Sequence, residues 1–325
     1  MKNIKTYLIL APIIAMALMP PIGMHIPFTE KVAWVWLVLI SGFLGICTLF
    51  FEINLYVKAL TALCFVNTFF SKAPFISQWA YMQVVGCVYL YIACLHIEDW
   101  SKVFRALYIV LGINILLLLL QHIGKDNLLN FGFSRSSCRG VVGNVMQFRS
   151  YMIVLIALII QSIPLVKKRV KEAFWIVAVI LFAYAYVHMA LPKFLISRGP
   201  AWFETFRTSL AHPWIGWGLG TYKATFQSVS GILLTTARSE GAWLTAHNDW
   251  LQVMYEIGIP GFMLMVAYAW DLIKKCKGAL LLGALMVIYT LTVHFPMRTT
   301  QIVPLLILFI AYIERKHSYA GTKSN

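Results

Sequence analysis

The chain has 325 residues, of which 60% are hydrophobic and 12% charged, with a mean hydropathy of +0.77. Soluble domains carry about 25% charged residues, so half the charge of a water-facing surface is missing and a soluble globular fold is excluded. The apolar runs are continuous and lack the period-two alternation of a membrane barrel, while a net charge of +15 points to anionic lipid, an anionic substrate or nucleic acid as a partner.

About ten runs are long enough to cross a hydrocarbon core of about 30 Å. They cover residues 5–24, 32–51, 54–70, 76–97, 102–122, 146–165, 173–191, 250–271, 279–295 and 301–314. Lys2 and Lys5 precede the first run, and no small-residue cleavage site follows it. It is therefore expected to remain as a helix. The predicted fold is an all-α polytopic membrane protein, a single integral domain with a five-helix N-terminal half over 1–122 and a second region over 123–325. Alternating spans place Lys167-Lys168-Arg169-Val170-Lys171, Lys274-Lys275-Cys276-Lys277, Arg315-Lys316, Lys2, Lys5 and Lys102 on one side. By the positive-inside rule that side is the cytoplasm, and both termini lie there. Cys47, Cys64, Cys87, Cys94 and Cys276 fall in or beside spans, and only Cys138 in an outer loop, so neither a disulfide framework nor a metal-ligand spacing is visible.

Two outer segments exceed simple turns: Gly124 to Val145, and a loop over 192–250 of about 60 residues, a length that usually carries function. The second is rich in aromatic residues, among them Trp202, Phe203, Phe206, Trp214, Trp217, Tyr222, Phe226 and Trp243. Phe203, Phe206 and Leu210 stand at helical spacing, so an amphipathic helix is expected against the membrane surface. Three constellations in these outer segments could carry chemistry. Arg198-Gly199-Pro200-Ala201-Trp202 is followed by Pro213-Trp214-Ile215-Gly216-Trp217-Gly218-Leu219-Gly220. A guanidinium at the surface matches two phosphate oxygens and keeps its charge, and glycines let backbone N–H groups approach a ligand; an Arg bound to lipid headgroups beside a Gly-rich turn is the plainer alternative. His247-Asn248-Asp249 opens the 250–271 span. Imidazole suits a general base near neutrality, whereas Asn248 or Asp249 is expected to cap the helix. Glu256 falls two turns in, where an interhelical hydrogen bond is its expected use. Arg139-Gly140-Val141-Val142-Gly143-Asn144 leads into the span holding Gln147 and Arg149. Arg135, Arg207, Arg238 and Arg298 also face outward on this topology. An outer face rich in Arg runs against the positive-inside rule and favours an anionic ligand there. No Walker loop, H-E-x-x-H, Asp-x-Asp-like metal site or Gly-x-Ser-x-Gly elbow occurs.

Taken in order, three blocks resemble the O-antigen ligase and O-antigen polymerase superfamily of bacterial envelope glycosyltransferases. They are Arg139-Gly140-x-x-Gly143-Asn144, then Arg198-x-x-x-Trp202 with Pro213-x-x-Gly216-x-Gly218-x-Gly220, then His247-Asn248-x-x-Leu251-x-x-x-x-Glu256-x-Gly258-x-x-Gly261. The likeness covers about residues 139–265 and makes 123–325 the ligase-like region, with its periplasmic loop over 192–250. It implies a lipid-dependent (GT-C-like) glycosyltransferase fold in the bacterial inner membrane. The implied donor is a glycan on undecaprenyl pyrophosphate, and the implied acceptor is lipid A–core or a growing glycan; no nucleic acid takes part. By matching position, Arg198 and His247 would be catalytic, His247 activating the acceptor hydroxyl. Arg139, Arg207, Arg238, Trp202, Asn144, Asn248 and Gly218 would bind substrate. No metal or other cofactor is implied, since guanidinium groups neutralise the leaving diphosphate. The chain departs from the family where Ser197-Arg198-Gly199 runs directly into the Arg-x-x-x-Trp block, and where Asn144 is followed by Val145. A transporter or flippase of anionic lipid-linked sugars is the alternative from a different class.

Overall fold

Asn54 shows how this chain starts a helix: its side-chain oxygen accepts from the N–H of Tyr56 at 2.9 Å, and its amide nitrogen is left to reach other helices. The computed structural model describes residues 38, 42–122, 145–161, 191–229, 245–294, 296–299 and 301–322. Among them every regular element is helical. After a helical stretch at 42–49 come α1 (Leu55–Phe70), α2 (Pro74–Leu95), α3 (Trp100–His122), α4 (Val145–Gln161), α5 (Leu191–Ser209), α6 (Tyr222–Val229), α7 (Asp249–Lys275), α8 (Ala279–Val293), a short 3-10 turn (Pro296–Arg298) and α9 (Val303–Thr322). Pro74 sits in the first turn of α2, where a missing N–H costs nothing.

α2, α7 and the Trp100–Leu117 part of α3 are long and apolar enough to cross a membrane; Leu55–Phe70, Ser150–Ile159 and Leu280–Val293 are apolar but shorter. Seven of the expected spans coincide with helices, with ends displaced by a few residues. The runs at 5–24 and 173–191 lie outside the described residues, and 32–51 is described only in part. The largest shift is in the last helix, expected over 301–314 but continuing to Thr322. Charge marks a span end in sequence, yet Glu314 finds Asn54 at 2.9 Å and Tyr268 at 3.3 Å, and Arg315 donates to the carbonyl of Leu95. A satisfied charge no longer stops the helix.

The core gathers Tyr91, Ile97, Val103, Tyr151, Leu155, Leu158, Ile302, Leu305 and Phe309 between α2, α3, α4, α8 and α9. α7 is the axis of the rest, packing on α1, α5, α6, α8 and α9.

That axis is broken in its third turn. Pro260 has no N–H to return to the carbonyl of Glu256, and Gly258 takes φ 77°, ψ −178°, outside the helical region. The freed carbonyls are taken by the Gly-rich segment 213–220. Trp217 N–H donates to Tyr255 O and Gly218 N–H to Glu256 O, both at 2.9 Å, while Ile259 N–H turns to Pro213 O at 2.7 Å. A break in a buried stretch of helix is thereby satisfied by a loop laid into it.

Candidate functional site

The two strongest sequence blocks, 213–220 and 247–261, are therefore one structural unit. Glycine is required where they meet. A Cβ on Gly216 would lie 2.6 Å from the backbone of Glu256, and one on Gly258 2.7 Å from the carbonyl carbon of Trp214. Asn67 of α1 clamps the same junction: its oxygen accepts from Leu219 N–H at 2.7 Å and its amide donates to Ile215 O and Glu256 O at 2.5 and 3.2 Å. The glycine N–H groups are used inside the protein. Gly216 donates to His212 O, Gly218 to Glu256 O and Gly220 to Glu256 Oε2 at 2.8 Å. Gly218 lies against the α1–α2 turn, where a Cβ would strike Ser71.

At the mouth of α7 the chain passes through His247, which has φ 53°. Among the described residues it is the non-glycine that adopts this left-handed conformation. Such a residue costs of the order of 1 kcal/mol or more and persists only where its surroundings impose it. Asn248 follows as the N-cap, its Oδ1 accepting from Leu251 N–H at 3.0 Å, as its residue type led one to expect. Asp249 is buried, with Oδ2 accepting from Met297 N–H at 3.0 Å. Gln252 Oε1 accepts from Ala246 N–H at 3.1 Å, and its Nε2 donates to Glu256 Oε1 at 2.9 Å. Glu256, 1% exposed, forms an ion pair with Arg298 at 2.5 Å.

Arg198 comes to this mouth from α5. Its Nη1 donates to Val293 O at 2.7 Å, at the C-terminal end of α8, where the helix dipole favours a cation. Trp202, one turn on, donates from Nε1 to Ala246 O at 2.9 Å. Arg198 stands close enough to His247 to act on its titration. Burial first, and then the Arg198 charge, push the His247 imidazole down to about 4 from 6.5. The ring is neutral at physiological pH, an acceptor of protons beside a permanent cation. Burial and then Lys72 also lower His212, whose ring packs edge-on to Trp217 at 4.4 Å between centroids.

The structure thus brings Arg198, Trp202, His247 and Asn248 together. Arg207 is elsewhere: nine positions along α5 is about two and a half turns, which puts it on the opposite face, largely exposed and paired with Glu204 at 2.8 Å. Arg139, Asn144 and Arg238 lie outside the described residues. Asn67, Gln252 and Arg298 join the site without having been singled out for it. The signal for Asn67 and Gln252 was present, since a polar side chain in an apolar helix demands a partner. Arg298 was visible as an outward cation, but its partner was not. No protein-family model matches the chain, and no curated protein matches its sequence.

Proposed function

We propose that the chain is a polytopic glycosyltransferase of the bacterial inner membrane, with both termini cytoplasmic and a GT-C-like architecture. It moves a glycan from undecaprenyl pyrophosphate to a hydroxyl of lipid A–core or of a growing glycan on the periplasmic face. The observation that carries this reading is the convergence of Arg198 and a neutral His247 at one mouth of α7. In the reaction, His247 takes the proton of the acceptor hydroxyl as its oxygen bonds to the anomeric carbon. The bond from that carbon to the diphosphate oxygen breaks, and undecaprenyl pyrophosphate departs with the electron pair. Arg198 faces the growing negative charge, a contribution of about 2–4 kcal/mol for a preorganised donor. A bound diphosphate also offsets the Arg198 charge that depresses His247, so the donor makes its own base stronger. Arg139 and Arg238 are the candidates for a second guanidinium.

Membrane lipid as a partner draws support from α5, which is inside-out for a water-facing helix. Its protein side is small and hydroxylated, with Ala201, Thr205, Thr208 and Ser209 buried. Its outer side and the following loop expose Phe203 (65%), Phe206 (44%), Leu210 (48%) and Trp214 (74%). Aromatic residues mixed with the Arg207–Glu204 pair suit the headgroup level of a bilayer.

The test is a reconstituted assay with undecaprenyl-pyrophosphate glycan and acceptor, read as released undecaprenyl pyrophosphate. His247→Ala is expected to stop release and retain donor binding. Arg198→Lys, which loses the two-pronged fork but not the charge, is expected to fall by about tenfold or more. Normal turnover by His247→Ala would refute the base, and donor movement across the bilayer without release would mark a transporter.

A further inference from the structure

The peptide ahead of His247 is gripped on both edges. Ala246 is fully buried; its N–H goes to Gln252 and its carbonyl, which belongs to the peptide bond with His247, accepts from Trp202. Behind His247, Asn248 is held as the helix cap, and its carbonyl accepts from Gln252 N–H at 3.0 Å. A residue at φ 53° between two such neighbours cannot relax without breaking one of these bonds.

Gln252 does not choose its own orientation. A carboxylate only accepts hydrogen bonds, so Glu256 must face the amide NH2, and the amide oxygen is left for Ala246 N–H. Arg298 supplies the counter-charge on the other oxygen of Glu256. We propose that Trp202, Gln252, Glu256 and Arg298 form a positioning chain that sets the backbone, and with it the ring direction, of His247. These residues act through His247 and not on the reacting atoms. The catalytic meaning of the chain rests on the glycosyl-transfer reading above, whereas its geometric effect on His247 does not.

The experiment uses full-length protein labelled with [13Cε1]histidine in lipid nanodiscs, with the His247 resonance assigned by its loss in His247→Gln. Gln252→Met, Glu256→Gln and Arg298→Gln are expected to shift that resonance while the protein stays folded, and Arg298→Lys to return it towards the wild-type position. Trp202→Phe removes the grip from the other edge and serves if Gln252→Met fails to fold. In the release assay these shifted variants are expected to lose about 100-fold in kcat, the scale of a misplacement near 1 Å, with a donor KM altered less than about threefold. An unmoved His247 resonance in folded Gln252→Met and Trp202→Phe overturns the positioning chain. Should the wild-type protein release no undecaprenyl pyrophosphate, the glycosyl-transfer reading falls and the resonance alone decides the chain.

Discussion

Gly258→Ala tests the joint on which the site is built. Gly258 has φ 77° and ψ −178°, a combination that only glycine adopts freely and that costs another residue about 1–3 kcal/mol. The added methyl would lie 2.7 Å from Trp214 C and 2.8 Å from the carbonyl oxygens of Pro213 and Trp214. All three are backbone atoms, so no side chain can swing aside. Relief requires the loop to withdraw, and withdrawal breaks Ile259 N–H to Pro213 O, Trp217 N–H to Tyr255 O or Gly218 N–H to Glu256 O. Leaving one or two buried groups unpaired adds about 1–3 kcal/mol each. The expected loss is about 2–9 kcal/mol, a large part of the stability of a typical domain. Gly86→Ala is the control. It lies within α2, a Cβ there meets nothing within 4 Å, and helix propensity should leave it neutral or up to about 1 kcal/mol more stable. The assay is the thermal midpoint in detergent, followed by size-exclusion chromatography after a heating series. A Gly258→Ala midpoint within about 1 °C of wild type, a shift worth less than 1 kcal/mol at this size, would refute the clasp between loop and broken helix.

Because the folded-state value of His247 is about 4 against 6.5, the folded protein binds fewer protons than the unfolded chain between those values. Stability conferred above pH 6.5 is therefore lost as the pH falls towards 4, and Arg198→Gln should narrow this window by raising the lower edge, as read from pH-dependent melting. Asn67→Leu strips the clamp from Ile215, Leu219 and Glu256 and should cost about 2–4 kcal/mol by leaving buried groups unpaired; a melt unchanged from wild type would contradict the clamp. Arg207→Ala removes an exposed pair with Glu204 worth at most about 1 kcal/mol, and donor affinity should be unchanged. A loss of donor binding would return Arg207 to the site. A spin label at Phe206→Cys should be reached by oxygen more readily than by a water-soluble nickel reagent; equal access to both would place the outer face of α5 in water.

Most of the helices were legible because their cause is local. An apolar run and the nearest Gly, Pro or charge bound a helix with little reference to anything else, and 54–70, 76–97 and 279–295 reappear almost in place as Leu55–Phe70, Pro74–Leu95 and Ala279–Val293. The last helix is the exception. The expected span of 301–314 ends on Glu314, which in the fold is bonded to Asn54 and Tyr268 from distant helices, so the cost of its charge is not a property of its neighbours in sequence. Asn248 was readable as a cap, since a cap serves a residue three positions away.

Arg198, Trp202, His247 and Asn248 stood out in the sequence, each being a polar or aromatic group where an apolar chain has least reason to carry one, and the resemblance of their blocks joined them as a candidate site. What they do to one another was not legible there. That Glu256 takes Arg298 and Gln252, that Trp202 grips the peptide ahead of His247, and that Gly218 and Gly220 spend their N–H groups on Glu256 all depend on which distant segments meet. Those meetings follow from a loop and a helix arriving at the same place. Composition and pattern are properties of neighbours along the chain; the partner of a buried charge is a property of the packed molecule, where the low dielectric makes each unmade bond costly.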